Sequence, residues 1–188
     1  MLLLGAAPPC VGCDELPPRC SNGDASACAS LAKLAIDNMD ESIASKWWEK
    51  ACALQDATSC LNRGVLAVQA GADASGWFRQ SCDLGSANGC LLLGDLFREG
   101  RSVATDPNRA LGLYRKSCDM GWGAGCYAAG VMSEEGRGIP ANTAIAQQLY
   151  EKGCTLGDAA SCGLQGALMG MPSGKALLEQ GCKGNDGY

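Results

Sequence analysis

The sequence predicts an all-α solenoid built from repeated two-helix units. Pairs of cysteines with seven residues between them occur five times, and the first cysteines of successive pairs lie 32, 30, 36 and 36 residues apart. A repeat of this length with helical patterning is typical of a solenoid, in which each unit packs on its neighbours. The pairs are Cys20/Cys28, Cys52/Cys60, Cys82/Cys90, Cys118/Cys126 and Cys154/Cys162.

One helix of the unit is predicted before each cysteine pair from the second pair onward. An alanine, an aromatic residue and the first cysteine recur at i, i+4 and i+8, which places them on one helical face. The residue before the aromatic is also apolar, which widens the stripe to that of a core-facing helix. We call these the aromatic-bearing helices, and their sets are Ala44/Trp48/Cys52, Ala74/Phe78/Cys82, Ala110/Tyr114/Cys118 and Ala146/Tyr150/Cys154.

The other helix of the unit is predicted to open at the second cysteine of each pair. A glycine three residues after the first cysteine suits the left-handed conformation that ends a helix, and Gln55 is the one exception. Four residues after the second cysteine, a small residue recurs. Because a mid-helix glycine costs about 1 kcal/mol relative to alanine, this register predicts close helix crossing. These glycine-bearing helices carry Ala32, Gly64, Gly94, Gly130 and Gly166.

The ends of these helices are marked by turn signals. The glycine-bearing helices are predicted to end at "REGRSV" (98–103) and "EEGRGIP" (134–140). The helix that follows the first of these is predicted to begin with Asp106 as cap and Pro107 in the first turn.

Composition excludes several classes of function. The chain of 188 residues contains no histidine, which excludes Ser-His-Asp and Cys-His mechanisms. Its net charge of -5 argues against a nucleic-acid binder, which needs a basic surface. Its thirteen cysteines indicate metal sites in a reducing compartment or disulfides in an oxidising one.

The stretch "CLLLGDLFREGRSVATDPNRALGLYRKSCDMGWGAGC" (90–126) resembles the Sel-like repeat, a branch of the tetratricopeptide superfamily. The cysteine pairs resemble those of its cysteine-rich, secreted Hcp-type subfamily. The resemblance covers residues 20–182 in five copies. It implies a right-handed α/α superhelix linked by disulfides, in the bacterial periplasm or outside the cell. We therefore expect a Pro/Cys-rich segment at 1–19 and a single solenoid domain at 20–188.

This resemblance implies a disulfide within each of the five pairs. The alternative, a structural zinc site, favours two C-x2-C halves, often with histidine. Only Cys10 and Cys13 have that spacing, so neither a metal nor a cofactor is predicted. Cys10 and Cys13 form a local disulfide or a redox motif, and Cys10 is also a candidate for lipidation. Cys182 begins an incomplete sixth pair and is either a leftover thiol or a partner of one of those two cysteines.

Solenoids bind partners on their concave face. If tetratricopeptide geometry applies, the ligand-facing positions lie three before, one after and four after the recurring glycine. The groove would then be apolar at one end and charged at the other, which suits a peptide with mixed anchors. Alternatively, Leu61 and Leu91 are simply core residues. The positions hold Leu61, Val65 and Val68, then Leu91, Asp95 and Arg98, then Tyr127, Val131 and Glu134.

Trp122 stands where the other copies carry aspartate or serine. An exposed tryptophan is favoured at interfaces, so Trp122 is a further candidate binding residue. The alternative is that it folds back over the neighbouring cysteine pair.

One motif could carry catalysis. "SLAK" (Ser30–Lys33) places a lysine one turn from a serine nucleophile, as in penicillin-binding enzymes, and falls at the start of a predicted helix. The S-D-N and K-T-G motifs of those enzymes are missing, so a solvated helix position is the alternative. Hcp-type proteins have been described as penicillin-binding and weakly β-lactam-hydrolysing, and this resemblance keeps the hypothesis open.

Two functions are therefore carried forward. The first is a monomeric, secreted or periplasmic, non-enzymatic scaffold that binds a protein or peptide, with no nucleic-acid partner, no membrane span and no cofactor. The second is a penicillin-binding protein or weak β-lactamase that uses Ser30 and Lys33. A third hypothesis is a surface protein sensed by other cells, with no ligand in the groove.

Overall fold

The computed structural model describes residues 13–138 and 140–168, and these residues form helices and turns with no strand among them. This confirms the all-α prediction. A 3₁₀ turn at Cys13–Glu15 precedes the first α-helix, which starts within the segment that the sequence sets apart as 1–19. The α-helices are α1 (Leu16–Ser21), α2 (Ala25–Asp37), α3 (Glu41–Ala53), α4 (Ala57–Gln69), α5 (Ser75–Asp83), α6 (Ala87–Glu99), α7 (Pro107–Asp119), α8 (Gly123–Glu135), α9 (Thr143–Thr155) and α10 (Ala159–Leu168).

The helices are arranged as a linear array. Each α-helix packs against the helices before and after it along the chain. The glycine-bearing helices also contact one another directly, α4 with α6, α6 with α8 and α8 with α10. Helices α4, α6, α8 and α10 therefore form a continuous layer, and the aromatic-bearing helices α5, α7 and α9 pack between successive members of it. The largest buried cluster sits at the middle of the array, where Phe78, Phe97 and Tyr114 pack with alanine, leucine and methionine side chains.

The glycine-bearing helices begin earlier than the sequence predicts. Each starts three residues before the second cysteine, not at it, and in four of the five helices the turn supplies a side-chain cap. Asp24, Asp56 and Asp158 accept hydrogen bonds from the backbone N–H groups of Ala27, Ser59 and Ser161, and Ser86 does the same for Gly89. An oxygen-bearing side chain at this position satisfies a donor that the helix leaves free. The recurring aspartate was therefore an unused signal for the helix start.

The predicted helix-ending glycines adopt the left-handed conformation. Gly23, Gly85, Gly121 and Gly157 have φ between 82° and 94°. Gln55, the exception in sequence, still takes φ of 67° at the same position. The turn geometry is therefore imposed by the helix pair, and a residue with a side chain follows it at some conformational cost.

All five predicted disulfides are present. They join Cys20–Cys28, Cys52–Cys60, Cys82–Cys90, Cys118–Cys126 and Cys154–Cys162, with Cα–Cα distances between 4.5 and 4.8 Å. Each links the end of one helix to the first turn of the next. The paired cysteines are almost fully buried, so they also form part of the core. Cys10 and Cys182 lie outside the described residues, and only the backbone of Cys13 is described.

The recurring mid-helix glycines are close-crossing points, as predicted. A Cβ built at Gly94 would lie 2.6 Å from Cε1 of Tyr114, and one at Gly130 would lie 2.4 Å from Cε1 of Tyr150. Gly64 has the same relation to Phe78, at 2.5 Å. Each glycine thus accepts the aromatic ring of the following helix, and the rings of Tyr114 and Tyr150 are completely buried there.

Glycine also allows close helix packing at a second place, beside the disulfides. In the last three pairs, the residues before the two cysteines face each other, and one of them is serine while the other is glycine. A Cβ at Gly125 would lie 2.5 Å from Oγ of Ser117, and the order is reversed at Gly153, whose Cβ would lie 2.2 Å from Oγ of Ser161. The two helices of these three linked pairs therefore meet over very small side chains.

Candidate functional site

A cavity of about 410 Å³ opens between the glycine-bearing helices α6 and α8. Leu91, Asp95 and Arg98 line it from α6, while Tyr127 and Val131 line it from α8. We call this cavity the groove. Its size falls within the range of small-molecule and peptide-anchor sites. Five of the ten candidate binding residues thus lie around one cavity.

The other predicted positions lie elsewhere. Glu134 does not line the groove, since its Oε2 accepts a hydrogen bond from Tyr150 Oη at 2.8 Å. Leu61 and Leu91 both pack against the central cluster, so the core interpretation applies to both, although Leu91 reaches the groove as well. Val65 and Val68 on α4 are each 37% exposed, and neither borders the groove.

A hydrogen-bonded network forms one wall of the groove. Tyr114 Oη donates to Asp95 Oδ1 at 2.7 Å and accepts from Arg98 Nε at 3.0 Å. Arg98 Nη2 also contacts Asp95 Oδ1 at 3.2 Å and Glu99 Oε1 at 2.6 Å. These contacts hold the guanidinium in one orientation while 39% of the Arg98 side chain stays exposed. A carboxylate or a peptide carbonyl from a ligand could therefore meet a positioned donor.

Sequence analysis missed Tyr114, Glu135 and Arg137 as groove residues. Glu135 and Arg137 form an ion pair at 2.7 Å on the rim. For Tyr114 a signal was present in the repeat. Where the aromatic residue is tyrosine, the glycine-bearing helix before it carries a charged residue within reach of the tyrosine hydroxyl. Where the aromatic residue is Phe78, the corresponding face of α4 carries Val65 and Val68 instead.

Comparison with known proteins decides the family. The family model described as the Sel1 repeat matches residues 36–56, 87–122 and 123–158. The chain is a Sel1 repeat protein. Among curated proteins, comparison by sequence found no match.

Solved structures agree with this assignment. A Sel1 repeat protein from Oxalobacter formigenes superposes with a TM-score of 0.76 and 20% identity, covering 91% of this chain and 76% of that one. A protective antigen of uropathogenic Escherichia coli with an SLR fold gives a TM-score of 0.64 and 21% identity, covering 96% of this chain and 38% of that one. The cysteine rich protein B of Helicobacter pylori gives 0.54 and 29%, covering 71% and 93%. The predicted solenoid of disulfide-linked repeats is thereby confirmed.

Neither a metal site nor a membrane span stands out in the described part of the Sel1 repeat protein. No group of three or more candidate metal ligands lies together in residues 13–138 and 140–168. Within the same ranges, no helix combines the length and the hydropathy needed to cross a bilayer.

Ser30 and Lys33 of the Sel1 repeat protein lie on the exposed face of α2. Ser30 is the sixth residue of that helix, not at its start as predicted, because Asp24 caps the helix before Ala25. Its Oγ donates to the Ser26 carbonyl at 2.9 Å. Ser30 and Lys33 do border one shallow cavity of about 550 Å³, together with Trp48.

Trp122 is half-exposed and begins α8 without capping it. It occupies the position where the other four copies cap through aspartate or serine, and its side chain makes no such hydrogen bond. A missing cap costs about 0.5–2 kcal/mol. The indole is therefore present at some cost in helix stability.

We expect W122D to stabilise the Sel1 repeat protein by about 1 kcal/mol, since the carboxylate restores the cap and sits at the positive end of the helix. Thermal unfolding followed by circular dichroism should show a midpoint raised by about 2–4 °C. The matched control is D56A, which removes a working cap and should lower the midpoint by a similar amount. A lower midpoint for W122D would mean that the indole packs as a structural group.

The two fully buried tyrosines, Tyr114 and Tyr150, should titrate at higher pH than exposed tyrosines. Burial, followed by the carboxylate of Asp95, raises the pKa of Tyr114 above its ordinary value near 10, and burial with Glu134 does the same for Tyr150. Because the folded pKa exceeds the unfolded one, this stabilisation is present below about pH 10 and is lost as the pH rises through the folded value. We expect Y114F and Y150F each to remove one late component from the tyrosinate absorbance titration. Unchanged titration curves would contradict this placement.

Proposed function

We propose that the protein is a secreted or periplasmic, non-enzymatic scaffold that binds a protein or peptide segment in the groove. The observation that carries this proposal is the convergence of apolar and charged groups on one cavity between α6 and α8. Leu91, Tyr127 and Val131 offer apolar contact, while Asp95 and Arg98 offer an acceptor and a donor. A peptide with an apolar anchor and polar backbone groups matches this set, whereas a uniformly charged ligand does not.

The disulfides support an oxidising location. Five buried disulfides in one short chain are typical of secreted and periplasmic proteins and rare where thiols are kept reduced. They also support a binding role, since Cys82–Cys90 fixes α6 to α5 and Cys118–Cys126 fixes α8 to α7, so that each helix lining the groove is fastened to its neighbour. A groove that is already formed loses less conformational entropy when it binds.

The test is cross-linking capture from the envelope and culture-medium fractions of the producing organism. The baits are the oxidised wild type, the double variant R98A/Y127A, and K152A as a control. Lys152 lies on α9 and pairs with Asp119, away from the groove. A partner captured by wild type and K152A but lost by R98A/Y127A would support the groove. A partner captured equally by all three baits, or none at all, would contradict it.

The second candidate is a penicillin-binding protein or weak β-lactamase. The observation that favours it is that Ser30 and Lys33 border the same cavity. In the expected step, Oγ of Ser30 attacks the β-lactam carbonyl, the ring C–N bond breaks, and the nitrogen takes up the hydroxyl proton with Lys33 as carrier. Intact mass after incubation with benzylpenicillin should then show an adduct that S30A lacks. An unmodified wild type would contradict this candidate.

A further inference from the structure

A second cavity, of about 500 Å³, lies between the aromatic-bearing helices α5 and α7, with α6 contributing to it. We call it the α5–α7 pocket. It shares no lining residue with the groove. Its charged residues are Arg79 and Asp83 from α5 and Arg109 and Lys116 from α7. Three cations therefore surround a pocket with one carboxylate, in a chain whose net charge is -5.

These cations are only loosely neutralised from within the protein. Lys116 Nζ lies 3.8 Å from Asp83, and Arg109 Nε lies 3.7 Å from Asp106, with all four side chains substantially exposed. Among the described residues, no carboxylate lies within 4 Å of Arg79, and Asp73 influences it only at longer range. Exposed pairs of this kind contribute little stability. A ligand carboxylate can therefore take the place of the protein carboxylate in either pair at a small cost in stability, and it then accepts charge-assisted hydrogen bonds from the cation.

The pocket combines these cations with an apolar base. Leu93 and Phe97 are 4% and 6% exposed and belong to the central cluster. The Arg109 guanidinium stacks over the Phe97 ring, 5.2 Å from its centroid. This stacking holds Arg109 over the apolar base, and the orientation of the Phe97 ring sets the direction in which the free N–H groups of the guanidinium point. An apolar side chain can thus contact the base while carboxylates meet the rim.

Gly112 gives an independent indication that this space is kept open. It lies in the middle of α7, and a Cβ at this position would meet no atom within 4 Å. The corresponding positions of other copies hold Lys46, Gly76 and Gln148. A glycine weakens a helix interior, and neither a turn nor a close approach requires one here. Because Gly112 lines the pocket, any side chain there would occupy it.

We propose that the α5–α7 pocket is a second binding site, which takes an acidic segment of a protein partner with an apolar residue between two glutamates or aspartates. Arg109 and Lys116 are seven residues apart on one helix, which separates them by roughly 10 Å. In an extended peptide, side chains at i and i+2 point to one side and the residue between them points to the other. With the central apolar side chain on the base, the two flanking side chains start on the outer face of the segment, about 7 Å apart at Cα. The long, flexible glutamate side chains can then splay outward along the segment to the cations on the rim.

The probe is the peptide acetyl-Glu-Leu-Glu-amide, and its neutral counterpart is acetyl-Gln-Leu-Gln-amide. Each is titrated into the oxidised, ¹⁵N-labelled full chain while amide chemical shifts are followed. We expect saturable shifts at Arg79, Gly112 and Lys116 with the glutamate peptide and at least tenfold weaker binding of the glutamine peptide. Binding should weaken in salt, as expected for exposed charges.

Three variants test the site itself. G112Q introduces the side chain of a sister repeat and should weaken binding at least tenfold while thermal unfolding stays at or above the wild-type midpoint. G76Q is the matched control, because Gly76 also has open space around its Cβ but does not line the pocket. It should bind as wild type does. R79Q should weaken binding several-fold without loss of fold.

Four results would overturn the proposal. These are an absence of saturable shifts at the pocket amides, equal binding of the two peptides, wild-type affinity in G112Q, or free glutarate binding as tightly as the peptide. The last would indicate a site for small dicarboxylates and not for a protein segment. None of these results bears on the groove, whose residues are separate.

Discussion

Reduction of the five described disulfides is expected to abolish cooperative folding of the protein. Each closes a short loop and contributes about 2–3 kcal/mol in the chain-entropy description. Five such contributions are comparable to the entire free energy of unfolding of an ordinary domain, about 5–15 kcal/mol. The remaining core is modest, since most fully buried side chains are alanines and the cysteines themselves. The reduced chain should therefore lose most of its helical circular dichroism.

The measurement compares urea unfolding with and without a strong reductant, together with a count of reactive thiols. Ten of the thirteen cysteines are paired in the described structure, so at most three should react in the oxidised, folded protein. A reduced sample with the same unfolding midpoint would show that helix packing alone holds the array. Ten reactive thiols in a folded, oxidised sample would contradict the disulfides altogether.

Substitution of Gly94 by alanine is expected to cost about 1–3 kcal/mol, although alanine is the better helix former. The added Cβ would lie 2.6 Å from the Tyr114 ring, which is completely buried. The ring has little room to shift, because its hydroxyl is bonded to both Asp95 and Arg98. G94A should therefore lower the thermal midpoint by roughly 5 °C and disturb the groove wall.

The matched control is G112A, a mid-helix glycine with open space around its Cβ. It should raise the free energy of unfolding by about 0.5–1 kcal/mol through helix propensity alone. If G94A were also stabilising, the close-crossing account of the recurring glycines would be wrong. The first copy shows a natural accommodation, where Ala32 replaces the glycine and the aromatic residue, Trp48, is no longer fully buried.

Sequence alone anticipated the repeat, the helix order, the disulfides and the role of the recurring glycine. The repeat, the helix order and the glycine depend on spacing within one helix or one turn that recurs from copy to copy, whereas the disulfides follow from the resemblance to Hcp-type proteins. The early helix starts were missed because Asp24 and its counterparts were treated as turn residues and not as caps. The Tyr114 network was missed because it joins α6 to α7, and such contacts depend on how two helices rotate about their axes.

The open space beside Gly112 was equally invisible in sequence. A glycine in a helix has the same letter whether it accepts a neighbouring ring, as Gly94 does, or faces a cavity. Only the packing of α5 and α7 around it separates the two cases. The predicted groove was partly recovered, because one-turn periodicity placed Leu91, Asp95 and Arg98 on one face, but the rim residues Glu135 and Arg137 lie where α8 ends.

Every disulfide in the described residues joins cysteines eight positions apart, which bears on how such an array can change in length over evolution. A cysteine such as Cys28 lies eight residues from its partner and 24 from the next cysteine, Cys52. A threefold longer loop costs about 1 kcal/mol more to close, so correct pairing is favoured before any tertiary structure forms. A gene duplication that inserts a whole unit adds a self-sufficient pair and leaves existing pairs undisturbed. Oxidative folding therefore does not limit the number of copies, and binding surface can be gained one repeat at a time.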